Sequence, residues 1–132
     1  MTASCATAAA PPAEPMPADV RQLLEARLPA VAADVRWHAR SGTLLDTGSW
    51  VARAAVHAAV CGDRLVLIAA GPRPFVLDLP VAALSSAVYN YVTGELSFPH
   101  ASAVPAVPPV RLDSLVARSL VALAPRPIPS TL

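Results

Sequence analysis

The sequence predicts an α+β fold: a small antiparallel β-roll or barrel of six to seven strands, with one helix before it and a capping helix after it. Three observations predict it. An apolar spacing of four at Val20, Leu24 and Leu28 marks an amphipathic helix near the start. Between Trp37 and Phe98 the period falls to two, with glycines at the breaks. From Leu112 the helical period returns. A chain of 132 residues has room for one core. Although 28 residues are alanine, Leu, Val, Ile and Phe still make up 36 positions, above the roughly one-fifth below which chains stay disordered.

Residues 1–16 combine small residues with proline and read as a disordered tail, with little to bury against the entropy of ordering. Pro17 suits a first helical turn, and the helix it opens should end or kink at Pro29, with a short second piece to Asp34. A strand begins at Trp37. Residues 41–49, SGTLLDTGS, read as a loop. In the strand from Ser49 to Cys61, Trp50, Val56 and Val60 should face the core and Arg53, His57 and Cys61 a wetter side. Gly62-Asp63 makes a type II′ turn into RLVLIAA at 64–70, facing Val60 with Leu65 and Cys61 with Arg64. The strand at 74–80 turns Phe75, Leu77 and Leu79 inward, Val76 and Asp78 outward. After the link VAALSS, a hairpin about Thr93-Gly94 puts Tyr89, Tyr91, Leu96 and Phe98 on one core-facing side. Residues 99–110 hold four prolines and form a stiff crossing. Asp113 then caps a helix presenting Leu112, Leu115, Val116, Leu120 and Leu123 on one side, with Arg111, Ser114 and Arg118 on the other. One domain therefore spans 17–124, and 125–132 is a proline-rich tail.

The stretch CGDRLVLIAAG, followed by FVLDLPVAALSSAVYNYVTGELSF, resembles bacterial pleckstrin-homology-like (PH-like) domains across residues 35–124. The resemblance lies in a strand pair with an Arg-Leu core, a further strand, a short P-x-x-x-L link and a hairpin with glycine at its turn. It implies a seven-stranded roll capped by a C-terminal helix. The sequence itself offers six clear strands and adds an N-terminal helix.

No chemistry-bearing constellation stands out. His57 and Cys61, four apart on a strand, lie roughly 13 Å apart, too far to share a metal, and His38 and His100 would have to converge on them through the fold. No zinc, other metal or cofactor is expected. There is no nucleophile elbow and no phosphate-binding glycine loop, and the acids Asp46, Asp63, Asp78, Glu95 and Asp113 sit at turns, outward strand positions or a cap. The two P-x-x-P spacings, at Pro12/Pro15 and Pro105/Pro108, read as linker in a chain with 15 prolines.

Ten arginines against nine acids exclude a strongly basic nucleic-acid surface. The loop at 41–49 carries an acid and no base, which disfavours the phosphoinositide binding that the resemblance raises. No stretch approaches the ~18 apolar residues that span a bilayer, no secretory leader is evident, and two cysteines make no disulfide framework, so a cytoplasmic location with free thiols is expected. The best reading is a non-catalytic protein-interaction module, binding a protein partner or a second copy of itself. Its candidate contacts are Leu44, Leu45, Arg53 and His57, although the two leucines are expected to fold back onto the core. The alternatives are a small-molecule-binding or hydrolytic domain with a pocket at the open end of the roll near Trp37, Trp50 and Tyr89, and a peripheral membrane-binding module, which the charge balance disfavours.

Overall fold

The computed structural model describes residues 15–99 and 107–124. In chain order the elements are α1 (Ala18–Arg27), α2 (Pro29–Ala32), β1 (Val35–Leu45), β2 (Ala54–Cys61), β3 (Arg64–Ala69), β4 (Phe75–Pro80), a 3-10 helix (Val81–Ser86), β5 (Val88–Asn90), β6 (Glu95–Ser97), β7 (Val110–Arg111) and α3 (Ser114–Val121). The strands form two antiparallel sheets, β1-β2-β3-β4 and β5-β6-β7. This is the α+β roll that the sequence predicts, with seven strands and no closed barrel among the described residues.

The first sheet is buried on both faces. Towards the second sheet, Val56, Ala58 and Val60 of β2 meet Leu65 and Leu67 of β3, together with Leu77, Leu79, Leu84, Leu96, Phe98, Val110, Ala117 and Leu120. On the outer face, Ala59, Cys61, Val66 and Ile68 are covered by Met16, Val20 and Leu24. The wetter side expected for β2 is therefore absent: His57 is 5% exposed and Cys61 is fully buried, because α1 lies over them. The burial of Met16 also carries the folded unit into the segment read as a tail. Residues 1–14 and 125–132, the rest of the two expected tails, lie outside the described residues, as does the middle of the proline-rich crossing.

The β2-β3 turn matches its expected register. Val60 pairs with Leu65 and Cys61 with Arg64, and Gly62 adopts the positive φ of +60° that the first central position of a type II′ turn requires. The expected loop at 41–49 differs. Strand β1 continues to Leu45, and its register against β2 shifts by two residues between Arg40 and Leu44. Such a bulge bends a strand, so SGT turns β1 towards the second sheet without ending it. There the Thr43 hydroxyl donates to the Pro109 carbonyl (3.3 Å) and accepts from the Arg111 amide (2.8 Å). One side chain thus joins β1 to β7 where no backbone ladder does. Strand β7 itself uses Val110, the last residue of the expected crossing, with Pro109 kept just outside it.

The β5-β6 hairpin has a wider turn than expected. Asn90 pairs with Glu95 and Tyr89 with Leu96, leaving a four-residue turn over 91–94. Asn90 sets it: its side-chain carbonyl accepts from the Val92 and Thr93 amides, its backbone carbonyl accepts from Gly94, and Gly94 takes a φ of +75°. Leu96 and Phe98 are buried as predicted and Tyr89 is half-buried, while Tyr91 is lifted into solvent.

At the far end of the chain, the Asp113 carboxylate accepts from the Leu115 amide (3.1 Å), the expected cap of α3. The helix buries Ala117 and Leu120, with Val116 and Val121 partly covered, whereas Leu115 is exposed. Trp37 of β1 ties in here, its indole N–H donating to the Ser119 hydroxyl (3.2 Å). A carboxylate at the fully packed Leu120 position would cost on the order of 3–5 kcal/mol, a large part of the ~5–15 kcal/mol typical of a domain. Leu120→Asp is therefore expected to lose the cooperative thermal transition. Arg118→Asp, at an exposed position two residues away on the opposite face of the helix, should melt close to the parent; equal melting of the two would mean that α3 does not close the core.

Candidate functional site

A groove of about 360 Å³ runs between β5 and α3, lined on one side by Ala87, Tyr89 and Tyr91 and on the other mainly by Ala117, Arg118, Val121 and Ala122. Its depth has a simple origin: alanines stand where larger residues would fill the space between helix and strand. The wall is fixed by hydrogen bonding and ring contact. Tyr89 donates its hydroxyl to the Leu112 carbonyl (2.7 Å), and Tyr91 packs edge-on against it with ring centroids 4.9 Å apart. Around the groove Val88, Val92 and Leu115 are exposed.

Strand β5 is also an unpaired edge of its sheet. The Val88 carbonyl accepts from the Ser97 hydroxyl and the Asn90 carbonyl from Gly94, so both point towards the hairpin interior. Strand alternation then turns the Tyr89 N–H and C=O outward, away from β6 at the open edge of the sheet. Arg118 is the one charged residue among the described groove residues, and it makes no ion pair with another described residue. The groove contains Ser114, with no histidine or carboxylate among its described lining residues.

Of the four residues expected to meet a partner, two are exposed and two are covered. Leu44, at 50% exposed, stands out from β1; Leu45 packs against the core, the fold-back expected for both. Arg53 is exposed ahead of β2, and His57 is buried beneath α1. The aromatic trio proposed for a pocket at the open end is likewise separated. Trp37 is buried, Tyr89 lines the groove, and Trp50 is fully exposed in the loop before β2, outside the strand expected to contain it. The sequence reading placed Tyr91 in the core and Arg118 on a plain solvated face. Ala117, small within an otherwise Leu/Val-rich helix face, was the available hint of a trough.

His57 and His38 meet each other across β1 and β2. His38 Nε2 lies 2.9 Å from His57 Nδ1, and the rings stack 10° from parallel. No group of three or more His, Cys, Asp or Glu suited to a metal ion occurs among the described residues; His100 lies outside them. Burial pushes the Cys61 thiol up to about 11, helped by the negative charges of Asp34 and Asp78.

Comparisons with protein-family models, with curated proteins and with solved structures return no match for this chain. No helix among the described residues is long and apolar enough to cross a membrane.

A thiol pushed up to about 11 is almost wholly protonated near neutral pH, and its burial blocks reagents as well. In a Cys5→Ser chain at about pH 7.5, Cys61 should therefore alkylate much more slowly than free cysteine. Rapid single-site alkylation under native conditions would mark it as an accessible nucleophile.

Proposed function

We propose that this chain is a non-catalytic protein-interaction module that docks an extended segment of a protein partner between β5 and α3. The observation that carries the reading is the juxtaposition of an unpaired strand edge at Tyr89 with an apolar trough holding one guanidinium, that of Arg118. A peptide laid along β5 adds a strand to the second sheet. Its backbone meets the outward Tyr89 N–H and C=O, and its alternate side chains enter the trough lined by Tyr89, Tyr91, Ala117 and Val121. Arg118 favours a segment carrying a carboxylate at that end. The PH-like element order is consistent with such a scaffold role, and we place the module in the cytoplasm. At about 360 Å³ the groove is also at the small end of small-molecule sites, with no histidine or carboxylate among its described lining residues to favour hydrolytic chemistry.

Panning a random-peptide display library on the immobilised chain tests this reading. The expected outcome is enrichment of extended, apolar sequences with an Asp or Glu. The best of them should shift the amide resonances of Val88–Asn90 and Ala117–Ala122, and Arg118→Glu should weaken its binding about tenfold, ~1.4 kcal/mol. Absence of enrichment, or shifts confined to other surfaces, would overturn the proposal.

A further inference from the structure

The loop between β1 and β2 holds an apolar tip clear of the core. At its base Thr47 is buried, where its hydroxyl donates to the Ala70 carbonyl (3.0 Å) and its own carbonyl accepts from the Arg73 amide (2.8 Å). Gly71 lies so close that a Cβ there would overlap the Thr47 side chain. Beyond this junction the Asp46 carboxylate accepts from the Gly48 amide (2.9 Å) and the Ser49 hydroxyl from the Val51 amide (3.2 Å), which fixes the turn. The turn presents Trp50 and Val51 at 101% and 94% exposure.

A tryptophan and a valine held in water on a pinned turn gain no burial within one chain, and Trp is enriched among the few residues that carry an interface. The groove between β5 and α3 has room for them: about 360 Å³, against the roughly 150 Å³ in which a benzene ring is held. Its lining is mostly alanine, valine and tyrosine, and Val88, Val92 and Leu115 stand exposed around it. The exposed charges also correspond. Asp46 precedes Trp50 and Arg53 follows it, while α3 carries Arg118 on the groove wall and Asp113 at its cap. A tip laid across α3 in one sense sets Asp46 towards Arg118 and Arg53 towards Asp113; the reverse sense opposes like charges. Ala52 and Arg53 make no strand pairing in their own sheet.

We propose that the partner docked between β5 and α3 is a second copy of this chain, entering with its Trp50–Val51 tip; the inference rests on the groove being a protein-docking site. Trp50 seats among the alanines, and Ala52 and Arg53 run along the Tyr89 edge. The contact joins two different surfaces, so each chain offers one tip and one groove and copies add head to tail. Two tips meeting each other would bury only about 150–250 Å² per indole, far short of the ~800 Å² per partner of a stable pair.

Sedimentation of the full chain with Cys5→Ser, from micromolar to millimolar concentration, tests this. Its average mass should rise with concentration past that of a dimer. Trp50→Ser and Ala122→Leu, both at exposed positions, remove the tip and fill the groove; each should keep the parent's thermal transition and sediment as a monomer. An equal mixture of the two should regain mass and stop at a dimer, because one intact tip and one intact groove remain. A parent that stays monomeric, variants that assemble like it, or a mixture without dimer would each overturn self-docking. A monomeric parent that still binds the panned peptides would leave the groove reading standing, and one captured through Trp50 by anionic vesicles would assign the tip to a lipid surface.

Discussion

Everything in this fold depends on burying both faces of the β2-β3 pair. A strand with one wet face alternates, but β2 reads AAVHAAVC and β3 reads RLVLIA, with nearly every side chain enclosed. That demands a second apolar layer, which α1 and Met16 supply. It also explains the alanines. Ala58 and Ala59 are adjacent, point to opposite faces, and are both fully buried, so the sheet is thin at its centre and can be packed closely from either side.

Legibility in the sequence follows from how local the determining interaction is. The Gly62 turn and the Asp113 cap were readable because a residue and its immediate neighbours fix them. The wide turn after Asn90 was not, since alternation favours a two-residue turn with Tyr91 inside. It loses to three hydrogen bonds gathered by one asparagine. Residues 41–45 were misread for a related reason. A Ser-Gly-Thr run signals a break, but Thr43 finds its partners at Pro109 and at Arg111 of β7, 66 and 68 residues away, and those contacts turn the break into a bend. Alternation also could not show that α1 would cover His57, because a helix packed across a sheet leaves no mark within the strand itself.

The groove shows how a hollow can arise from what a core omits. Leu120 drives α3 down onto the roll and Trp37 anchors it through Ser119, so the helix axis is set by large residues on one side. On the side facing β5 the contacts are alanines, and the helix cannot come closer to fill the gap. Tyr89 spans it with a hydroxyl bonded to the chain just before α3, holding strand and helix apart at a fixed spacing. The trough is preformed, so a segment docked there as proposed would meet a low ordering cost on the domain's side.

The two layers on either side of the first sheet are unequal, and that inequality has a physical consequence. The inner layer joins residues from all four strands of the first sheet, two strands of the second, the 3-10 helix and α3, so no single element can leave without opening cavities elsewhere. The outer layer is two short helices and the residues leading into them, set on a sheet face that carries two imidazoles where apolar side chains would pack. A layer with few apolar contacts opens at a lower free energy than one with many. Cover of the outer face of β2 and β3 rests on α1, α2 and Met16, so the doubly buried sheet depends on the weaker of its two layers.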